Sequence, residues 1–344
     1  PNGETSAMPA NIGEMFYYGE IPWHREGMAL ARPATLEEAL RAGALDWKVG
    51  DVDLQTCDDP PSPVPKRKAI VRLDRPAGHE GRVLGVAHRG FRPLQNRDGA
   101  LLFDAIFGQG KAVYHTGGYL GHGEVVWLLA KIDKPMNIGN GDLIEPYALF
   151  ANSHDGSRAI SISLTTVRVV CQNTLNIALK DQKLGEHCRR AHQGTFPEHV
   201  AAAQAFWAST LQELDQVTQA FTALSKKACN EDSFGKVMEK LLPLPAQPRN
   251  SQSNPGLLKA WETKTGTIKK ARADIQQLRK SGKGMNLPGA NGTYWGALNA
   301  ITEYFDHHQD NDSNSQVAYA LLGDGMDLKV KAFRLLQESC QATA

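Results

Sequence analysis

Ala112-Val113-Tyr114-His115-Thr116, then the glycine-rich Gly117 to Gly123, then Glu124-Val125-Val126-Trp127-Leu128-Leu129-Ala130-Lys131-Ile132 is the stretch that decides the fold. Two β-rich runs flank a segment with four glycines, which predicts strand, turn, strand. A phosphate-binding loop needs a helix after the glycines, so that free amides and the helix dipole meet the anion. A strand follows here, and no Lys-Ser or Lys-Thr pair does, so the glycines read as a turn.

Working outward, the same character continues on both sides. Trp47 to Leu54 reads as a strand, Asp58 to Pro65 as a proline-rich loop, and Ala69 to Asp74 with Arg82 to His88 as a hairpin. Leu143 to Asn152 and Ala159 to Val170 form a further β pair around Ser153-His154-Asp155-Gly156. Two short helices are expected beside these strands. One is capped by Thr35 with Glu38 in a capping box; the other runs from a cap at Asn96 to about Phe107, with Leu101, Leu102, Ala105 and Ile106 on one face.

After Gln172 the pattern becomes helical. Thr195-Phe196-Pro197-Glu198 is a second capping box. Val200, Trp207, Leu214 and Phe221 then recur every seven residues, with Leu211, Val217 and Leu224 on the same face. Such a helix must bury its stripe against another helix or another subunit. A basic helix is expected from Leu257 to Lys280, and shorter helices near Thr293 to His307 and Leu328 to Gln337. The predicted fold class is α+β: an N-terminal, mostly antiparallel sheet with packed helices, followed by a helical C-terminal region. The expected divisions are a flexible tail over 1–14, an α+β domain over 15–182, an amphipathic helical region over 183–242, a Pro-rich linker over 243–256 and a helical region over 257–344.

Composition narrows the function classes. Hydrophobic residues make up 41% and charged residues 22%, which excludes a mainly disordered or collagen-like chain. The five cysteines are widely spaced with no C-x-x-C, and read as reduced thiols of a cytoplasmic protein. No apolar run approaches the ~18–20 residues needed to cross a bilayer. Chemistry-bearing motifs are weak. Cys188 and His192 share a helical face, with His187 and His199 nearby and His307-His308 distant, but zinc needs three or four converging ligands. There is no Gly-x-Ser-x-Gly elbow, the acidic residues are scattered, and Cys171 reads as buried packing. No catalytic residue, metal or cofactor is therefore assigned.

Charge segregation is the stronger signal. The chain carries 38 Lys+Arg against 37 Asp+Glu, a net charge of +1. Yet Lys66, Arg67, Lys68, Arg72, Arg75, Arg82, Arg89 and Arg92 face only Asp74 and Glu80 in the same segment. Lys264, Lys269, Lys270, Arg272, Arg279, Lys280 and Lys283 face only Asp274. Such clusters neutralise phosphates, with counterion release driving affinity. Phe91 and Tyr294-Trp295 lie near them in sequence and supply rings for base stacking.

Several stretches together resemble a known family. They are Trp23-His24-x-x-Gly27, Leu84-Gly85-Val86 through Arg92-Pro93-Leu94-Gln95-Asn96, His115-Thr116-Gly117-Gly118, Arg168-Val169-Val170-Cys171-Gln172-Asn173-Thr174-Leu175, and Thr293-Tyr294-Trp295-x-x-x-Asn299-Ala300-x-Thr302-Glu303-Tyr304-x-Asp306-His307. In order from Met15 to Leu336, they are similar to the phage/plasmid-like protein family, domain of unknown function 932. The resemblance implies a protein of phages, prophages or plasmids and carries no catalytic residues with it. Asn96, Arg168, Cys171, Asn173, Thr174, Trp295, Asn299, Asp306 and His307 are then expected to be structural, with Asn173 and Thr174 capping a helix after a strand end.

The leading expectation is a mobile-element protein that binds single-stranded DNA without catalysis and anneals complementary strands. Contacts would come from Lys66, Arg67, Lys68, Arg72, Arg82, Arg89, Arg92, Lys264, Lys269, Lys270, Arg272 and Lys280. The heptad helix would hold a homo-oligomer together. The rivals are an anti-defence or regulatory protein that binds a host or phage protein through an exposed apolar patch, and a nuclease or nucleotide-processing enzyme.

Overall fold

A computed structural model describes residues 12–19, 27–107, 113–139, 141–157, 160–168, 173–177, 196–249, 254–308, 319–320 and 322–342. These residues make an α+β fold with two sheets and seven helices. The larger sheet runs in the order β11 (Asn173–Ile177), β10 (Ser161–Arg168), β9 (Leu143–Ser153), β7 (Val125–Lys131), β6 (Val113–Leu120), β1 (Ile12–Tyr18), β2 (Met28–Leu30), and β8 (Met136–Asn137) pairs with the start of β9. Every pairing is antiparallel except β1 with β2. The smaller sheet is β3 (Val49–Gln55), β4 (Pro63–Arg72), β5 (Val83–His88).

Three local expectations give way. Residues 12–14, expected in a flexible tail, open β1, which pairs with β6 inside the large sheet. Gly117 and Gly118, expected in the turn, lie within β6, and the turn shrinks to 121–124. Close packing requires this: a Cβ on Gly118 would stand 2.2 Å from the Glu14 carbonyl oxygen of β1. Asn173 and Thr174 cap no helix; they open β11, where Arg168 pairs with Asn173 and Val167 with Thr174. Cys171, Cys188 and His192 lie outside the described residues.

The first face of the large sheet is covered by helices. Phe16, Tyr114, Leu128, Phe150 and Leu164 belong to one buried cluster. Phe103 of α2 (Asn96–Phe107) packs into it, with ring centroids 6.2 Å from Tyr114 and 5.8 Å from Phe150. The capping box at Thr35 starts α1 (Leu36–Ala42), as the sequence predicts. α3 (Phe196–Lys226) places Trp207 4.9 Å from Phe107, and Phe221 5.0 Å from Trp295 and 5.3 Å from Phe333. Leu214, Val217 and Leu224 are buried in the same cluster. Trp207, Leu214 and Phe221 of the heptad stripe are thus buried within the chain, with Val200 packed beside them.

α4 (Glu231–Leu241), α5 (Pro255–Ser281), α6 (Tyr294–His307) and α7 (Asp324–Ala342) complete the helical region. The proline-rich connector before α5 is tied to it: the Trp261 indole donates to the Pro245 carbonyl, and Arg272 donates twice to Leu242. α6 is buried on every side from Tyr294 to Asp306. The second face of the large sheet carries Met15, Val125, Trp127, Leu129, Tyr147, Leu149 and Ala151, with Leu322 against them.

Candidate nucleic-acid interface

β4 brings Lys66, Arg67, Lys68 and Arg72 onto the small sheet, and cross-strand neighbours decide which of them face solvent. Lys68 lies 3.3 Å from Asp51 and is buried. Arg89 lies 3.2 Å from Asp53. Both aspartates sit on β3, outside the basic run, where the register sets Asp53 opposite Lys68. Arg82 donates to the carbonyl of Arg75, and Arg75 donates to the carbonyl of Gly81. Arg92 is exposed. Only Lys66 and Arg67 of the β4 cations combine exposure with no ion pair among the described residues.

Arg72 has a different task. Its Nε and Nη2 donate to the two carboxylate oxygens of Asp74 at 3.1 and 2.7 Å, and its Nη1 to the His122 carbonyl at 2.8 Å. The guanidinium lies 4.1 Å above the Trp47 ring and 5.3 Å from the Tyr119 ring. Asp74, hydrogen-bonded by Arg72, is held below its ordinary 3.8. Trp47 in turn meets His154 edge-on at 5.4 Å, and His154 Nε2 is 2.8 Å from the Asn96 side-chain oxygen. Asn96 therefore does not cap α2. Its amide donates to Leu45 and Trp47 carbonyls, and it fastens the segment before β3 to the large sheet. Arg72 is 5% exposed and belongs to this internal joint, so it is not available to a phosphate.

The second basic segment keeps more of its charge outside. Arg272 is spent on Leu242, and Arg279 is buried over the Phe234 ring at 4.0 Å while donating to the Cys229 carbonyl. Lys264, Lys269, Lys270 and Lys280 are exposed on α5, as is Lys259. At 3.6 residues per turn, Lys259, Lys269, Lys270 and Lys280 fall within a sector of about 100°, and from 259 to 280 the helix runs about 32 Å. Glu262 shares that sector, and Lys264 lies outside it.

The family residues of α6 are internal. The Trp295 indole donates to the Asp142 carboxylate at 2.8 Å, Asn299 donates to the Trp295 carbonyl, and Asp306 pairs with Lys329 at 2.5 Å with both side chains inaccessible. Burial pushes the Lys329 ammonium down and Asp306 pulls it back up, leaving it below its ordinary value. His307 ends the helix and is half-buried. Among the described residues no group of three or more His, Cys, Asp or Glu is placed to hold a metal ion.

Two surface features escape spacing arguments. On the outer face of the small sheet, Val52, Leu73, Val83 and Val86 are exposed around Val71. On the second face of the large sheet, Glu145 accepts from Lys131 at 2.5 Å and from the Tyr147 hydroxyl at 2.8 Å. His115 stands edge-on to Tyr147 at 5.2 Å and to Tyr18 at 6.2 Å. These residues come from four strands, so no linear motif joins them. The one sequence signal was His115 inside a stretch of the resemblance.

Fold and surface together define an α+β protein with an internally tied core and a cationic helix face. The family profile described as "Domain of unknown function (DUF932)" matches residues 83–326, and the chain belongs to that family. No curated protein and no solved structure matches it. No helix is long and apolar enough to cross a membrane among the described residues.

Proposed function

We propose that the protein binds single-stranded nucleic acid without catalysis, in the DNA transactions of a mobile element, with annealing of complementary strands as its expected outcome. What supports this is the exposed face of α5, where Lys259, Lys269, Lys270 and Lys280 line one side with Glu262 as the acid among them. Lys66 and Arg67 offer a second, smaller contact. Lys68, Arg72 and Arg272 leave the contact set because the fold uses them, while Arg89 stands exposed beside Asp53.

The test is a salt titration with a single-stranded oligonucleotide. Lys269→Ala, Lys270→Ala and Lys280→Ala together should weaken binding at least tenfold near 0.1 M salt. The slope of log affinity on log salt should flatten by about 2, three contacts at ~0.7 each. Parental affinity and slope in the triple variant would sink the reading. The apolar outer face of the small sheet favours the rival, a protein partner. Replacing Val52 and Val86 by Asp should leave oligonucleotide binding unchanged; loss of that binding would move the contact surface to the small sheet.

A further inference from the structure

One row of side chains plays no part in that reading. On the second face of the large sheet, the register sets Lys131 opposite Tyr147 and Tyr147 opposite Thr165. A bulge between Tyr114 and Thr116 turns the ring of His115 toward Tyr147. Tyr18 of β1 closes the row. A polar line thus runs across β6, β7, β9 and β10, with the Tyr18 ring against its His115 end, on a face that is otherwise Val, Leu, Met, Trp and Ala. Two buried groups on this face, the Thr165 hydroxyl and the Trp127 indole N–H, have no hydrogen-bond partner among the described residues. Both are inaccessible, so the half-buried row itself, and not these two groups, supplies the contacts.

We propose that Tyr18, His115, Lys131 and Glu145 form a binding site for a flat heterocycle that carries an amino group and a carbonyl on either side of a ring nitrogen along one edge, of the guanine or cytosine type. The Glu145 carboxylate accepts only. Lys131 and Tyr147 take one position on each oxygen, leaving about two of its four acceptor sites for N–H groups of a ligand. Burial pushes the Glu145 carboxyl up, but the bonds from Lys131 and Tyr147 outweigh it and keep it ionised. The Lys131 ammonium has three donors and uses one on Glu145, so it can meet a ring carbonyl. Tyr18 and His115 are half-buried and present rings to stack on. The Lys131 and Glu145 charges cancel, so nothing in the row selects an anion. The expected ligand is a neutral base rather than a phosphate.

Free nucleosides test this on the full chain, by calorimetry or ligand-observed NMR. They carry no phosphate, so the lysine face of α5 is not involved, and either proposal can fail while the other stands. Deoxyguanosine and deoxycytidine should bind about tenfold more tightly than thymidine, within the range of one good bidentate base contact. Glu145→Gln should erase that ranking, and His115→Ala should weaken all four nucleosides together while leaving the ranking. Melting curves establish that both variants fold. Equal binding of all four, binding of none, or a ranking that survives Glu145→Gln would overturn the proposal.

Discussion

Arg72 shows how one side chain can look like a surface cation in sequence and act as an internal bolt. It spans the two sheets, with a carboxylate on one side, a carbonyl on another and two rings beneath. Arg72→Ala should cost about 2–4 kcal/mol in chemical denaturation, from lost charge-assisted hydrogen bonds and the emptied space over Trp47. Arg67→Ala on the same strand should change stability by less than about 0.5 kcal/mol, because it is exposed. The Arg72–Asp74 pair also fixes a pH dependence. The Asp74 carboxyl titrates lower in the folded chain than its ordinary 3.8. Its contribution is therefore present above that ordinary value and is lost as pH falls through the lowered one. Thermal melts of the parent and of Asp74→Asn should differ at neutral pH and converge in acid; a constant gap would contradict the pair's role. The basic run was legible and its neutralisation was not, because Asp51 and Asp53 reach it through strand pairing rather than through proximity along the chain.

Elements with one strong local signal were read well. The capping box at Thr35, the hairpin of β4 and β5, and the helix expected over 257–280 all appear, the last as Pro255–Ser281. Elements decided by distant contacts were not. β1 has little alternation, and β6 offers glycines that let its backbone approach. α6 has the opposite character: its apolar residues surround the helix, and its polar ones turn inward to fixed partners. Asp306 and Lys329 form a dry ion pair there. Asp306→Asn should cost about 3–5 kcal/mol by taking the carboxylate away from a fully buried ammonium. The double change Asp306→Leu with Lys329→Met should recover most of that loss, and urea denaturation of the parent, the single and the double variant measures both. A double variant no better than the single would mean that the pair is not the source of the effect.

For the whole molecule, one buried cluster runs from Phe16 through Trp207 and Phe221 to Leu336 and Cys340. The sheet region and the helical region share it, so unfolding followed by two spectroscopic probes should give coincident transitions. Two separated transitions would divide the chain at the proline-rich connector instead. The net charge of +1 hid the useful asymmetry in the sequence. Three dimensions then sorted the cations into those tied inside and those standing out on α5. Of the His115–Glu145 row only His115 carried a signal, since strands β1, β6, β7 and β9 supply its members one or two at a time.

The burial of α6 on all sides carries a practical lesson for anyone cutting this chain. A shortened version that stops before Tyr294 discards the plug that both halves close around, and it should come out of expression as insoluble material.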